Sequence, residues 1–249
     1  MTFTLFIYLC YSFFLSSTST QHKVEYTVST TLTFDEFEGD YVMYFDNNTS
    51  YFYNETLVNI PRTIKNDGGT SVIFRANDKD GFPIYKNLRD QKISYKYFLL
   101  FDKSKCVVNE TLSKITWKIT KETKKIKGID CYKAYGLHGG RDYEVWFAPS
   151  MAVGHGPFAL SGLPGLILEA RTIDGKVTIT CKSLQLNCSK DIKIQSLDQK
   201  FDIPVLTYPE YIQKRNDVLA KFLIKCKVEG IDYTPLDPSV DWQIRKGYF

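Results

Sequence analysis

The sequence lacks several features that would place it in a common functional class. Beyond residue 20 it has no apolar run long enough to span a bilayer as a helix. It contains no CxxC pair, and its three histidines are not spaced with the cysteines as zinc ligands are. It has no G-x-S-x-G elbow of the kind that presents a nucleophilic serine. The chain therefore carries no strong indication of a membrane helix, a zinc site or a serine hydrolase.

The first twenty residues contain no charged side chain. An apolar run from Phe3 to Leu15 is followed by the small polar residues from Ser16 to Thr20. This pattern is typical of a secretory signal peptide, and the run is too short for a transmembrane helix. We therefore expect residues 1–20 to be a signal peptide and residues 21–249 to form a single β-rich domain. The expected location is the periplasm, the outer membrane surface or the extracellular space.

The charge balance does not favour a nucleic-acid partner. The net charge of +4 is small and spread along the chain, so we interpret it as a contribution to solubility. The densest basic run lies at residues 114–127, where the lysines fall largely on strand exteriors and a turn, so we interpret it as a solvated face.

Cysteine usage is compatible with export. Of the six cysteines, Cys10 lies in the leader, and an odd number of five remains. At least one of these is free or pairs elsewhere, and the sequence leaves the pairing open among Cys106, Cys131, Cys181, Cys188 and Cys226.

Alternation of apolar and polar residues predicts a mainly β fold. Val24, Tyr26 and Val28 share one face of a first strand, and the turn-rich residues 46–49 predict a hairpin between two aromatic runs. Similar short runs recur along the chain. We expect an antiparallel curved sheet or half-barrel.

The clearest local signal is a hairpin centred on Asp174-Gly175. Asp-Gly is typical of a two-residue type I′ turn, in which both positions need positive φ. That turn pairs residue 173 with residue 176, so Ala170 lies opposite Ile179 and Arg171 opposite Thr178. Turn and alternation then agree on one apolar face.

One amphipathic helix is predicted in the C-terminal half. Thr207 and Glu210 have the spacing of a capping box, apolar residues recur at helical spacing from Tyr211 to Cys226, and Gly230 can end the helix. Its polar face is not strongly cationic, so we expect it to cover the sheet.

A Gly- and Pro-rich segment at residues 149–165, here called the connector, has few charged side chains. Long connections without secondary structure are uncommon in compact domains and are often functional. At its end, Pro164 and Gly165 predict a type II turn in which Gly165 adopts positive φ.

Several motifs in fixed order carry a family resemblance. They are Trp117-Lys118-Ile119, Cys131-Tyr132-Lys133-Ala134, Gly140-Arg141 with Trp146-Phe147, Gly156-Pro157-Phe158 and the hexapeptide Gly162-Leu163-Pro164-Gly165-Leu166-Ile167. The chain resembles the GLPGLI family of exported proteins, found mostly in Bacteroidota, over residues 115–184. The resemblance implies a β-rich envelope domain, with a curved sheet that wraps a helix or an apolar ligand, and it implies no settled activity.

Catalytic and metal-binding interpretations are weaker. His138, Asp142, His155 and Ser161 lie in or near Gly-rich turns, but their chain order matches no standard triad. A mature chain starting at Thr20 would place His22 third, where it could bind copper or nickel, whereas a chain starting at Gln21 would not. We predict no enzymatic activity, no cofactor and no metal site.

The predicted function is an exported binding or interaction protein whose partner is an apolar small molecule or an envelope protein. The candidate ligand or partner rim consists of Arg141, Trp146, Pro157, Phe158, Leu160, Leu163 and Pro164. In the alternative interpretation Arg141 pairs with a neighbouring acid, and Trp146 and the connector belong to the core. The other functional hypotheses are a structural accessory of an envelope transport or secretion assembly and an unrecognised hydrolase.

Overall fold

Long strands dominate the chain, as the alternating sequence predicts. A computed structural model describes residues 20–31, 37–54, 61–65, 71–75, 80–99, 102–188 and 193–230, with the backbone alone for Phe37 and for 61–65 and 71–75. Twelve strands form one open, curved sheet, and two further strands form a separate pair. The predicted fold class, a mainly β half-barrel with one helix in the C-terminal half, is confirmed.

The strands of the large sheet are β1 (Gln21–Thr30), β2 (Phe37–Phe45), β3 (Thr49–Asn54), β6 (Ile84–Asn87), β7 (Lys92–Phe98), β8 (Lys105–Thr111), β9 (Trp117–Ile126), β10 (Ile129–His138), β11 (Arg141–Ala148), β12 (Leu166–Thr172), β13 (Val177–Cys188) and β14 (Val205–Thr207). The separate pair is β4 (Pro61–Lys65) with β5 (Ser71–Arg75). The helices are α1 (Leu197–Lys200) and α2 (Tyr208–Val228).

Strand β1 joins the two halves of the sheet. The order across the sheet is β14-β8-β7-β6-β3-β2-β1-β13-β12-β11-β10-β9, and only the short β14–β8 pair is parallel. On β1, Tyr26 lies between Tyr41 of β2 and Cys181 of β13. Its hydroxyl donates a 2.7 Å hydrogen bond to the carbonyl oxygen of Ile167. The first strand is thus tied to a segment 141 residues later in the chain.

The register predicted for the hairpin of β12 and β13 is confirmed. Ala170 pairs with Ile179, and Arg171 pairs with Thr178. The alternation places Ala170 and Ile179 in the core, whereas Arg171 is exposed.

The turn of this hairpin differs from the prediction. Gly175 has a φ of 71°, but Asp174 is not among the residues with positive φ, so the turn is not type I′. Instead, the amide of Gly175 donates to the carbonyl oxygen of Thr172 at 2.9 Å, and the strands end one residue earlier on each side. The longer loop keeps the register because it remains centred on the same two residues.

The main core lies between the inner face of the sheet and the connector. The inner face presents buried apolar side chains from strands across the sheet, among them Val24, Val28, Met43, Phe52, Val145, Phe147 and Ile179. The connector adds Phe158, Ala159, Leu160 and Leu163 to the same cluster. The connector is therefore an integral layer of the fold.

Two smaller clusters cover other parts of the sheet. The segment around α1 packs Leu197 onto Tyr51, Tyr85 and Val107. At the start of α2, Tyr211 stacks on Tyr97 of β7 with 4.4 Å between ring centroids.

Helix α2 begins and ends as predicted, but it covers the sheet only in part. Thr207 and Glu210 form both hydrogen bonds of the capping box, and Gly230 follows the helix with a φ of 69°. Tyr211 is buried, whereas Ile224 and Val228 near the C-terminus are exposed. Within the described part of the chain, no helix is long and apolar enough to cross a membrane. The predicted signal peptide falls in residues 1–20, of which 1–19 lie outside the described residues.

Candidate functional site

The connector fills the inner face of the sheet. Phe158 and Leu160 retain only 3% and 2% of their accessible surface, and Leu163 is equally buried. The Phe158 ring lies 4.5 Å from the ring of Phe52 and 5.3 Å from that of Tyr41. This corresponds to the alternative in which these side chains are core, and it leaves no surface on them for a ligand in this conformation.

Polar anchors hold the connector to distant strands. The buried Lys86 of β6 donates hydrogen bonds to the carbonyl oxygens of Gly156 at 2.5 Å and Leu160 at 3.0 Å. At the other end, the indole Nε1 of Trp117 donates to the carbonyl oxygen of Ser161 at 2.8 Å. These bonds satisfy carbonyl groups that burial would otherwise leave without partners.

The turn predicted at Pro164-Gly165 is wrong. Gly165 does not have positive φ; the connector glycine that does is Gly162, at 89°. The reason for a glycine at position 165 is a close backbone contact, because a Cβ there would lie 2.4 Å from the carbonyl oxygen of Ala148. Pro157 is buried and Pro164 is exposed.

The four residues considered for catalysis do not form a nucleophile and base pair. His155 and Ser161 are both buried and face each other in a backbone bridge, but the Ser161 hydroxyl donates to the carbonyl oxygen of Ala159. Burial, with a smaller contribution from the positive charge of Lys86, lowers the pKa of His155 to about 3. His138 and Asp142 lie in the hairpin of β10 and β11, where Asp142 is exposed. Ser161 thus has no imidazole acceptor for its proton.

The outer face of strands β10–β12 brings together a different set of side chains. Cross-strand pairing aligns Lys133, Trp146 and Glu169 in one row, and Tyr135, Glu144 and Arg171 in the next. A third row continues the alternation with Leu137 opposite Asp142, and the amide of Ile173 donates to the carbonyl oxygen of Asp142 at 2.9 Å. We call these nine residues the Trp146 face.

Lysine side chains surround the indole ring of Trp146. The ammonium nitrogen of Lys124 lies 4.5 Å from the ring centroid, and that of Lys133 lies 5.0 Å away. Lys124 also pairs with Glu169, while Lys133 pairs with Glu122 at 2.5 Å. Trp146 is therefore half-buried: it packs against the main core and forms cation–π contacts with the two lysine ammonium groups.

Glu144 is the anionic centre of the middle row. Arg171 binds it through two nitrogens, each at 3.0 Å, and Tyr135 donates to it at 3.2 Å. Burial acts to raise the pKa of Glu144, but the hydrogen bonds and positive charge of Arg171, aided by Lys133, lower it overall. Glu144 is thus held as a carboxylate in a fixed position.

The third row is the exposed part of the face. Leu137 retains 62% of its accessible surface and Ile173 retains 59%, although both belong to strand-forming segments. At the adjoining tip, Arg141 forms an ion pair with Asp174. Two aliphatic side chains thus lie next to an aromatic and arginine-rich surface.

Two members of the predicted rim, Arg141 and Trp146, lie at or on this outer face, whereas the connector members lie on the inner side of the sheet. The structure therefore does not bring the seven predicted residues into one surface, and whether any of them binds a partner stays a prediction. Leu137 and Ile173 were not identified from the sequence. The available signal was the alternation Lys133, Tyr135, Leu137, which places an apolar residue on a polar face.

Metal and disulfide chemistry find little support among the described residues. They contain no group of three or more His, Cys, Asp or Glu side chains arranged to hold a metal ion. The cysteines of the described residues are all free thiols: Cys106, Cys131, Cys181, Cys188 and Cys226. His22 lies within β1 and accepts a 3.2 Å hydrogen bond from the amide of Asn187. In the basic run, Lys124 and Lys125 form ion pairs with Glu169 and Asp130.

Solved structures share this fold. A structure of PNGF-II in space group C2 aligns with a TM-score of 0.56 and 18% identity over 80% of this chain and 33% of its own. A second one, in space group P21, aligns with the same score and identity over 80% and 34%. The chain thus spans about a third of the length of PNGF-II, and at this identity the likeness concerns the fold alone. An outer membrane lipoprotein-sorting protein domain from Vibrio parahaemolyticus aligns with a TM-score of only 0.30 and 6% identity over 70% of this chain and 87% of its own, too low to establish a shared fold.

Sequence comparison is more specific. No curated protein matches the chain significantly. The resemblance to GLPGLI proteins is not tested by these comparisons and stays a prediction. A family described as the N-glycanase peptide, N-terminal domain, matches residues 78–210, which are 133 of the 249 residues. The matched part runs from just before β6 to the start of α2 and includes the connector and the Trp146 face. The chain therefore belongs to the family of N-glycanase peptide N-terminal domains.

Proposed function

We propose that this chain is an exported binding domain without catalytic activity of its own, and that the Trp146 face holds a glycosylated polypeptide. The polypeptide lies across the outer face of β10–β12, with its apolar side chains on Leu137 and Ile173. The family description names an N-glycanase, which supports a glycosylated partner.

The exposure of Leu137 and Ile173 is the observation that carries this proposal. Exposed aliphatic residues are common singly, but here two share one row with Trp146, Tyr135 and Arg171 close by. Aromatic residues and arginine are enriched at protein interfaces, and clustered exposed apolar groups mark interaction sites. A face serving only solubility would have polar residues at both positions.

Two features favour a polypeptide over an apolar small molecule. The inner face of the sheet, which could enclose such a molecule, is filled by Phe158, Leu160 and Leu163. The outer face is open and combines paired charges with apolar groups, which suits an extended ligand with both kinds of contact. The envelope or secreted protein is therefore the preferred partner.

A non-catalytic role is supported by the arrangement of the titratable groups. His155 is buried with a strongly lowered pKa, and Ser161 has a carbonyl oxygen as its acceptor. On the Trp146 face, the carboxylates of Glu144 and Glu169 are held in ion pairs. These pairs hold the two carboxylates in fixed positions for binding.

Export completes the proposal. The predicted leader at residues 1–20 directs the chain out of the cytoplasm, where glycosylated polypeptides of other organisms or of the cell surface are accessible.

The proposal is tested by biolayer interferometry on the full secreted chain. The probe is an immobilised N-glycosylated glycoprotein, compared with the same glycoprotein after removal of its glycans. We expect the double variant Leu137→Ser, Ile173→Ser to bind about tenfold more weakly or worse, since two apolar contacts are lost. Leu186→Ser is the matched control, because Leu186 is similarly exposed but lies on β13 away from the face.

Equal binding by the wild-type chain and the double variant would contradict the assignment of the Trp146 face. The same samples are analysed for released glycan. Glycan release by the wild-type chain alone would contradict the non-catalytic part of the proposal.

A second candidate function is the structural accessory of an envelope assembly. The exposed Ile224 and Val228 on the C-terminal half of α2 favour it, because a helix face of this kind buries its apolar side chains against another protein. Under that function, Ile224→Ser with Val228→Ser would abolish co-purification with an envelope complex, while the Trp146 face variants would not.

A further inference from the structure

The third row of the Trp146 face has an unusual composition. Asp142 is the direct cross-strand partner of Leu137, and its backbone carbonyl accepts the amide of Ile173. An exposed carboxylate thus lies between two exposed aliphatic side chains.

Asp142 differs from the neighbouring acids in its electrostatic environment. Glu144 is bound by Arg171, Glu169 by Lys124, and Asp174 by Arg141. Among the residues that the structure describes, none forms an ion pair or a side-chain hydrogen bond with Asp142. The adjacent Arg141 is already engaged, so the free chain offers Asp142 no counter-charge of its own.

A partner that covers Leu137 and Ile173 must also remove water from Asp142. Taking an ionised carboxylate out of water without a counter-charge is costly, whereas a close opposite charge offsets the loss. Like charges brought together at an interface repel each other, so an acidic segment is disfavoured. A partner that binds here therefore needs apolar groups opposite Leu137 and Ile173 and a positive charge opposite Asp142.

We infer that the segment held by the Trp146 face carries a lysine or arginine between two apolar residues, and that this cation pairs with Asp142. The two apolar residues cover Leu137 and Ile173. This inference rests on the proposed function and specifies the chemistry of the partner. It makes Asp142 the residue that selects basic over acidic segments.

A carboxylate that serves only solubility leads to the opposite expectation. Neutralising it would then remove a desolvation cost on binding, and the affinity would stay equal or increase. The two explanations therefore differ in the sign of one measurement.

The experiment uses the full chain and the immobilised N-glycosylated glycoprotein as the probe. We expect Asp142→Asn to weaken binding about tenfold and Asp142→Lys to weaken it further, because the ion pair is lost and then reversed. The salt dependence of binding should be smaller for Asp142→Asn than for the wild-type chain. Asp130→Asn, an exposed acid at the β9–β10 turn, is the control and should bind normally.

Competition by synthetic peptides tests the selectivity directly. Alternate side chains of an extended peptide face the same way, so a peptide with the central sequence Leu-Ser-Lys-Ser-Ile should compete with the glycoprotein, and the same peptide with Glu in place of Lys should not. On Asp142→Lys the preference should reverse.

The outcomes separate the inference from the proposed function. If the Leu137→Ser, Ile173→Ser variant loses binding but Asp142→Asn binds as well as wild type or better, the face is correct and the inference is wrong. If the glycoprotein binds equally to all variants, or not at all, the proposed function fails and the inference fails with it.

Discussion

The ammonium group of Lys86 lies 2.5 Å from the carbonyl oxygen of Gly156, a residue 70 positions later in the chain. This hydrogen bond, with a second one to Leu160, ties strand β6 to the middle of the connector. Between the two carbonyl groups, Phe158 has a φ of 50°, which is uncommon for a residue other than glycine. The connector is thus held in a specific and partly strained shape by the buried amino group of Lys86.

Lys86 should make the stability of the fold depend on pH. Burial lowers the pKa of Lys86 from 10.5 to about 7 in the folded chain. Between these values the unfolded chain carries a proton that the folded chain lacks, so the free energy of unfolding rises with pH, at most by about 1.4 kcal/mol per pH unit. Urea unfolding between pH 7 and 8 measures this slope. The cysteine thiols of the unfolded chain begin to titrate in the same range, so the contribution of Lys86 is the difference in slope between the wild-type chain and Lys86→Met.

Lys86→Met should reduce that slope, and it should also lower stability because the carbonyl groups of Gly156 and Leu160 lose their donor. Lys118→Met is the control, since Lys118 is exposed on β9. An unchanged slope in Lys86→Met would mean that Lys86 has an ordinary pKa in the folded chain.

Gly165→Ala should destabilise the fold by about 3 kcal/mol or more, because its Cβ would lie 2.4 Å from the backbone oxygen of Ala148 and neither strand can move freely. Gly175→Ala is a useful comparison. Gly175 has positive φ but nothing within 4 Å of an added Cβ, so we expect a loss of only about 1 kcal/mol. Thermal unfolding measures the stability of both variants. A smaller loss of stability for Gly165→Ala than for Gly175→Ala would contradict the close-contact explanation.

Replacing Phe158 and Leu160 together with serine should cost several kcal/mol of unfolding free energy, as for large-to-small changes in a core. Both side chains are buried against the inner face of the sheet. Leu186→Ser, at an exposed position, should change stability by about 0.5 kcal/mol or less. A connector that tolerated the double change would be a separable loop and not a layer of the core.

Thr207→Ala should reduce stability by about 1 kcal/mol, because the N-cap oxygen that accepts the amide of Glu210 is lost. Thr207→Ser retains that oxygen and should restore most of the loss. Chemical denaturation followed by circular dichroism measures both. Equal stability of the alanine and serine variants would show that the capping box contributes nothing.

Local features of this fold could be predicted from the sequence because they depend on neighbouring residues. The register of Ala170 with Ile179 follows from a short loop and two alternating strands, and the capping box of Thr207 follows from spacing within one turn. The turn geometry at Asp174 was predicted wrongly, because a loop that is longer by one residue on each side allows the same strand register.

Features that depend on distant contacts were not predictable in the same way. The sequence around Gly165 contains nothing that reveals the approach of Ala148, so a local turn was the natural but incorrect explanation. The sequence around Lys86 does not predict its role, because its hydrogen-bond partners are 70 and 74 residues away in the chain. The residues of the predicted rim lie on opposite faces of the sheet for the same reason. The alternation within β11 places Trp146 on the outer face, but only the tertiary fold places Phe158 on the inner face.

The central claim is that the Trp146 face contacts the partner, and hydroxyl-radical footprinting of the full chain tests it most directly. The chain is labelled alone and with a saturating amount of the N-glycosylated glycoprotein, and side-chain oxidation is quantified by mass spectrometry. We predict that oxidation of the exposed Leu137 and Ile173 decreases strongly on binding, while that of Leu186 and Val228 stays the same. Unchanged oxidation of Leu137 and Ile173 in the bound chain, or protection confined to Ile224 and Val228 of α2, would contradict the account.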